Sequence, residues 1–300
     1  VRIGISIGTT YAVDDPRDAP SGVLSQARAA ARAGLDTLTV GDHHSTGPVS
    51  YVQNVPILGR ILAEWTDRPA GCLFLLPLWH PVLMAEQIGT LAAMAPSPFI
   101  IQAGVGGGAE QFRAMGARLG ERGRRLEEGI KLVQALLRGE RVDGPMWGIE
   151  GATISPRPPD GTEWWIGGGV APAIDRAARL GDCWYGNADL TPGSAAEAMA
   201  IYRDACARHG RQPVRIPIRK DVFIAAGQAE AERVGDHLVA AGYRGFARDA
   251  VAYGDPEHVA EQLAAYADLG FTDIIIRSMT TGESGDRSVE LAGEVRTRLQ

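Results

Sequence analysis

The chain has 300 residues, 45% of them apolar and 22% charged, an ordinary soluble globular composition, long enough to bury roughly three quarters of its unfolded surface without disulfide or metal staples. Its 36 acidic and 30 basic residues give a formal charge of −6. That argues against nucleic acid as main partner, because phosphate binding rests on a basic surface, although one local basic pocket stays compatible. Cys72, Cys183 and Cys206 are few and far apart without metal spacing, so reduced thiols, no metal and a cytoplasmic location are expected. No secretory leader is read at the start, and no apolar run approaches the roughly 20 residues of a membrane helix.

Short apolar runs alternate with helical patterns along the chain. Arg2–Gly8 reads as a strand, followed by Leu24, Ala27, Ala31 and Leu35 at helical spacing. Thr37–Val40 is the next strand and leads into Gly41-Asp42-His43-His44; a helix is expected over Tyr51–Glu64. Gly71–Leu76 is a buried strand closed by Pro77, and Val82, Ala85, Ile88 and Ala92 mark a helix face behind Pro81. Phe99–Ala103 is a strand ending in Gly104-Val105-Gly106-Gly107-Gly108; a short helix near Glu110–Leu119 precedes a long one through Leu126, Ile130, Val133 and Leu137.

From 139 to 163 four prolines and five glycines forbid regular helix, which reads as a small insertion, a hairpin over the mouth of the fold. Trp164–Gly167 resumes the core, then a helix over Ala171–Leu180, a strand at Cys183–Gly186 and a helix over Ser194–Arg208. Val214–Ala225 is a longer strand in which Pro217 marks an end or a bulge. Glu230–Ala241 is helical, Asp255-Pro256-Glu257 is a helix start with Asp as cap, and Thr272–Arg277 and Ser288–Leu299 form the last strand and helix. Eight strands separated by helices predict an α/β fold, a single (β/α)8 barrel domain over 1–300, with a doubly wound sheet as the competing architecture.

Either architecture binds ligands beyond the C-terminal strand ends. The residues there are Thr9-Thr10, Asp42-His43-His44, Leu75-Leu76-Pro77, Gly104–Gly108, Gly167–Gly169, Asn187 and Arg277-Ser278. Gly106-Gly107-Gly108 lets backbone approach a flat ring or a phosphate, or is a plain turn. Gly104-x-Gly106-x-x-Ala109 matches a loose dinucleotide fingerprint, but no strand ending in an acid follows about 20 residues later. Gly167-Gly168-Gly169 opens a helix and offers backbone N–H groups to an anion. His43, beside Asp42, suits a hydrogen-bond donor or general acid, and Glu110 either a first-turn acid or a proton donor. Trp79, Trp147 and Tyr51 are candidate apolar walls.

Six segments, in order, carry a resemblance: Leu35–His44 (LDTLTVGDHH), Leu76–Gln87 (LPLWHPVLMAEQ), Gly104–Gly116 (GVGGGAEQFRAMG) leading into the Arg122–Glu128 helix, Trp165–Gly169 (WIGGG), Ala177–Trp184 (AARLGDCW) and Gly254–Leu263 (GDPEHVAEQL). Together they resemble the bacterial luciferase-like superfamily of flavin- and deazaflavin-dependent oxidoreductases. The resemblance implies a (β/α)8 barrel holding the coenzyme ring at the strand C-termini. It implies that Gly167, Gly168, Gly169 and Val170 seat the coenzyme phosphate and that Asp42 and His43 approach the ring. It implies a bulge behind the ring with a non-prolyl cis peptide at Leu73-Phe74, contacts from Gly104, Gly106 and Gly107, and a homodimer.

Flavin monooxygenases of this group often carry Glu-His where this chain has Asp42-His43, and the chain lacks their long insertions. Coenzyme F420 is therefore the implied cofactor and FMN the alternative. Against that, Gly108-Ala109 intervene before Glu110, where F420 members often place a carboxylate directly after the glycine turn. The expected activity is hydride transfer between F420 and a small organic substrate. The alternatives are an FMN-dependent monooxygenase, a barrel that binds coenzyme without turnover, and a nicotinamide-dependent dehydrogenase.

Overall fold

The computed structural model describes residues 1–300 except Pro48, Ser97 and Val214, so of the expected 214–225 strand the first residue lies outside the described residues. In chain order the strands and helices are β1 (Arg2–Ile7), β2 (Thr10–Tyr11), α1 (Asp18–Arg32), β3 (Leu38–Val40), β4 (Ser50–Tyr51), α2 (Asn54–Ile61) and β5 (Ala70–Phe74). Then follow α3 (Pro81–Met94), β6 (Phe99–Ala103), α4 (Ala109–Ala114), α5 (Arg122–Leu137), β7 (Val142–Gly144), β8 (Ile149–Ala152), β9 (Thr162–Gly167) and α6 (Ala171–Leu180). The rest are β10 (Cys183–Tyr185), α7 (Pro192–Arg208), β11 (Pro217–Ile224), α8 (Gln228–Ala240), β12 (Val251–Gly254), α9 (Pro256–Asp268), β13 (Asp273–Ser278) and α10 (Gly282–Leu299).

Nine strands form one curled parallel sheet in the order β10-β9-β6-β5-β3-β1-β13-β11-β12. Just past β10, Gly186 bridges Ile218 of β11 in parallel; its N–H donates to the Pro217 carbonyl at 2.8 Å and its carbonyl accepts from Arg219 N–H at 3.1 Å. All eight expected strands are present. Pro217 opens β11, where its missing N–H costs no ladder bond. The ninth strand, β12, was not anticipated. It has only four residues and pairs with just the second half of β11, from Asp221↔Val251 to Ile224↔Gly254. Asp255 does cap α9, its carboxylate accepting from His258 N–H at 3.0 Å.

Two expectations need correction. The Leu73–Phe74 peptide is trans, the sole cis bond among the described residues being Ser155–Pro156. Here β5 stays in regular register with β6 through Leu73↔Gln102 and Phe74↔Ala103, and the Phe74 carbonyl accepts from Gly104 N–H at 3.0 Å, so the ladder continues without a bulge. The 139–163 segment holds the antiparallel pair β7–β8, and none of its residues line the cavity at the strand ends. Val142 and Ile149 join the main core, and Trp147 packs against it beside Gly129 of α5, beneath the Arg125 guanidinium, 4.7 Å from its ring centroid.

Strand pleat decides which side chains meet. Alternate residues face the helices, as Ile3, Ile5 and Ile7 do in the main core. The others face the inside of the curl, where Ile100, Trp165, Cys183 and Ile275 make a dry inner cluster. Gly4 belongs to this layer, since a Cβ there would come within 2.8 Å of Ile275 Cδ1. Two residues further on, each strand presents its next inward side chain: Ser6, Leu73, Gln102, Tyr185, Arg219 and Arg277.

The same alternation sends Lys220, between Arg219 and Asp221, to the helix side. It is 1% exposed, and its Nζ donates to the carbonyls of Ala188 at 3.0 Å and Leu190 at 2.7 Å, over the Tyr266 ring. Burial pulls its pKa from 10.5 down to about 7. Because the unfolded amine binds its proton more tightly, the unfolded state holds more protons between about pH 7 and 10.5. Stability from this group therefore rises with pH across that window and is absent below it. Denaturant midpoints at pH 7 and pH 9 should differ more in the native protein than in Lys220→Met; equal differences would contradict this assignment. Among the described residues, no helix is long and apolar enough to cross a membrane, and the three cysteines are buried and unpaired.

Candidate active site

At the C-terminal strand ends the upper inward layer opens into a cavity of about 300 Å³, enough for a small organic molecule. Its lining combines that layer with Thr10, Gly41, Asp42, His43, Tyr51 and Arg244. Cavities of about 500 and 440 Å³ lie elsewhere, one around Lys220 and Tyr266 on the outer side of β11 and one around Asp182 and Arg211. Neither draws together ionisable groups from opposite sides of the sheet, so the central cavity is the candidate site.

The β2–β4 pairing sets Tyr51 opposite Thr10, and both line the cavity. Gly41 lies close beneath Tyr51: a Cβ there would come within 2.8 Å of the Tyr51 hydroxyl. His43 lies at the cavity edge with its ring 5.6 Å from that of Tyr51, and its carbonyl accepts from Gln53 Nε2 at 3.1 Å. Partial burial holds the His43 imidazole below its usual 6.5, outweighing the upward pull of Asp42; at neutral pH it is therefore an uncharged donor and acceptor.

Asp42 works differently from its neighbour. Its side chain is fully buried, and Oδ2 accepts from Leu75 N–H at 2.7 Å and from Trp79 Nε1 at 2.8 Å, while Oδ1 is 3.3 Å from His44 Nε2. The carboxylate thus ties the end of β3 to the turn after β5. Trp79 packs edge-on against Phe74 and helps hold that turn, and Phe74 itself is fully buried toward the helices. Of the pair Leu73-Phe74, only Leu73 offers a side chain to the cavity.

Glu110 is exposed on α4 and does not line the cavity. The next residue, Gln111, is buried instead: its Oε1 accepts from His44 N–H at 2.7 Å and its Nε2 donates to the Gly107 carbonyl at 2.8 Å, joining the two loops. Gly106, at φ +66°, packs on Leu75 and Phe112, Gly104 lies over Leu73 and Leu75, and Gly107 is open to solvent on its Cβ side. The glycine turn after β9 is more constrained. A Cβ on Gly168 would come within 2.4 Å of Ala173, one on Gly169 within 2.7 Å of Asn187 Nδ2, and the Gly168 carbonyl accepts from Trp184 Nε1 at 2.8 Å. Val170, 65% exposed, is the N-cap of α6. Trp147 plays no part in the cavity.

Gln102, Tyr185, Arg219 and Arg244 were missed by reading only the residues that follow each strand. Asp221, 0% exposed, was missed too. Arg219 Nε donates to its carboxylate at 3.0 Å and Tyr243 Oη at 3.0 Å, with Arg244 Nε 3.6 Å away. The signal was pleat parity counted back from each strand end, except for Arg244, which comes from an irregular loop.

A family model described as luciferase-like monooxygenase matches residues 1–252. An F420-dependent glucose-6-phosphate dehydrogenase of Nakamurella multipartita is 24% identical over 318 aligned positions, covering 92% of this chain and 91% of that one. The enzyme of the same name from Beutenbergia cavernae is 31% identical over 188 positions, 57% of this chain and 54% of its own. In fold, the chain is similar to a Streptomyces bottropensis monooxygenase (TM-score 0.83, 18% identity, 98% of each chain covered). It is also similar to an F420-dependent secondary alcohol dehydrogenase solved with an F420-acetone adduct (TM-score 0.82, 16% identity, 100% and 99% covered). The match over residues 1–252 places the chain in the luciferase-like monooxygenase family.

Proposed function

We propose that this protein is an F420-dependent oxidoreductase that moves a hydride between the deazaflavin and a small organic substrate in the central cavity. The observation that carries the reading is a cavity at the parallel strand ends, edged by an uncharged His43, in a chain of this family. The F420-dependent relatives support the choice of coenzyme.

The residues present fit such a ring. Gln102 Nε2 and the Tyr185 hydroxyl are buried without a partner, and both belong to the cavity lining; the carbonyl and N–H edge of a deazaflavin or flavin would satisfy them. When bound, the coenzyme supplies the hydride acceptor or donor. Leu73, Gly104, Gly106 and Gly107 would line one face of it, and Gly167–Gly169 with Val170 would place backbone N–H groups at the start of α6 against its phosphate. His43 would hold a proton at the substrate heteroatom where charge changes. Asp42 fixes the Leu75–Trp79 turn rather than meeting substrate, and Glu110 is left without a role.

In this reading the sheet is a closed eight-stranded (β/α)8 barrel and a single domain over 1–300. Its support is the Gly186–Ile218 bridge between β10 and β11, with β12 as an appended ninth strand and β7–β8 as an insertion. Unpaired thiols support a reducing, cytoplasmic setting, and the exposed Leu83 and Met94 of α3 support a homodimer.

The coenzyme is tested by titrating the purified protein separately with F420 and with FMN, oxidised and reduced, and following the visible spectrum of the bound ring. Saturable binding of F420 and its oxidation or reduction by a small carbonyl–alcohol pair is the expected result. Binding of FMN alone would replace F420 by flavin; binding of neither would end the reading.

A further inference from the structure

We propose that the substrate of this site is an organic oxyanion, a carboxylate or a phosphate monoester, held by Arg219, Arg244 and Arg277. The word substrate rests on the function proposed above; the anion site stands on the cavity alone. The three arginines come from β11, from the stretch between α8 and β12, and from the end of β13, and all three line the central cavity.

Asp221 is the one carboxylate bound to this group, and it serves two of its members: Arg219 at 3.0 Å and, more loosely, Arg244 at 3.6 Å. Its remaining capacity goes to the Tyr243 hydroxyl at 3.0 Å. Arg277 is the register partner of Asp221 across β11–β13, yet it has no carboxylate in ion-pair reach among the described residues. Three positive charges against one negative leave a net excess in a partly desolvated place, where unpaired charge is costly. Crowding is visible at Arg244: burial first, then the positive charges of Arg219 and Arg277, lower its hold on its proton.

The remaining lining cannot answer that excess. Asp42 gives one oxygen to Leu75 and Trp79 and sets the other 3.3 Å from His44, so it adds at most one further negative charge against three guanidinium groups, and His43 is neutral. Arg244 is also one of two non-glycine residues with positive φ among the described residues, at +49°, and such strain is found where a side chain must be presented in one direction. A purely apolar alcohol or aldehyde needs none of this; a forked oxyanion matches guanidinium planes directly. Arg219 and Arg277 sit on β11 and β13 and Arg244 between α8 and β12, while the glycine turn proposed for the coenzyme phosphate follows β9, so the two anionic groups would occupy different stretches of the rim.

The test titrates inorganic phosphate and, separately, propionate into the full chain at constant ionic strength set with sodium chloride, with and without F420, following Tm and intrinsic fluorescence. The expected result is a saturable response to at least one of them. Arg277→Met and Arg244→Met should each weaken it by about tenfold or more, since each removes a charge-assisted bond, while F420 affinity, read from quenching of its own fluorescence, stays within about twofold of native. Preference for phosphate identifies a phosphate monoester, and preference for propionate a carboxylate. Arg244, with a side chain 41% exposed, keeps the test open if the Arg277 variant does not fold. A native protein without saturable response in either state, or variants that respond as it does, overturns the proposal. So does a parallel loss of F420 and anion affinity, which would assign the arginines to the coenzyme. If F420 does not bind but the anion response is present and lost in the variants, the coenzyme reading fails and the anion site stands.

Discussion

His43→Ala is expected to bind F420 as the native protein does and to turn over about 10²–10⁴ times more slowly, the range for losing a positioned acid–base group. The ring stands at the cavity edge and its carbonyl, not its imidazole, bonds to Gln53, so truncation leaves the loop tied. The pH profile adds a signature that mere packing would not give. Because partial desolvation holds the imidazole below 6.5, the neutral form persists to lower pH than in a fully solvated histidine, and kcat/KM should fall on the acid side through a value under 6.5. In His43→Asn that limb should vanish. Unchanged turnover in both variants, or an acid limb at or above 6.5 that survives them, would remove His43 from the chemistry.

The second large effect is on stability. Asp42→Ala leaves the Leu75 N–H and the Trp79 indole N–H without their acceptor. Each buried unsatisfied donor costs about 1–3 kcal/mol, so a loss of about 2–6 kcal/mol is expected. Asp42→Asn, which keeps one oxygen in place, should lose less. Denaturant midpoints at constant slope measure both. The same substitutions should loosen the turn after β5, on which Gly104 and Gly106 rest, so coenzyme affinity should fall with stability. A loss under about 1 kcal/mol for the alanine variant would show that Asp42 is not the tie it is taken to be.

Periodicity was enough for the eight main strands and their helices, because each strand is a buried apolar run bounded by turn residues. It was not enough for β12, whose Val-Ala-Tyr-Gly is short and is recognised only by its partner in β11. At the site, local chemistry marked His43, Asp42 and the glycine turns, but proximity in sequence misled twice. Asp42 adjoins His43 yet commits an oxygen to the Leu75 and Trp79 N–H groups, and Glu110 follows the glycine loop yet faces solvent, leaving Gln111 to join the loops. Gln102, Tyr185 and Arg219 were readable in principle by stepping back two residues at a time from strand ends. Arg244 was not, since an irregular loop obeys no period and only the folded chain brings it to Arg277.

Arg219-Lys220-Asp221 puts three consecutive ionisable residues on one interior strand, the outer two toward the mouth and the middle one toward α9. Adding or deleting one residue ahead of them would drive a guanidinium and a carboxylate into the hydrocarbon behind the sheet and leave a solitary amine facing the ligand. A one-residue length change within β11 is thus expected to unfold the sheet rather than reshape the mouth, whereas exchanging side chains in place leaves the parity intact.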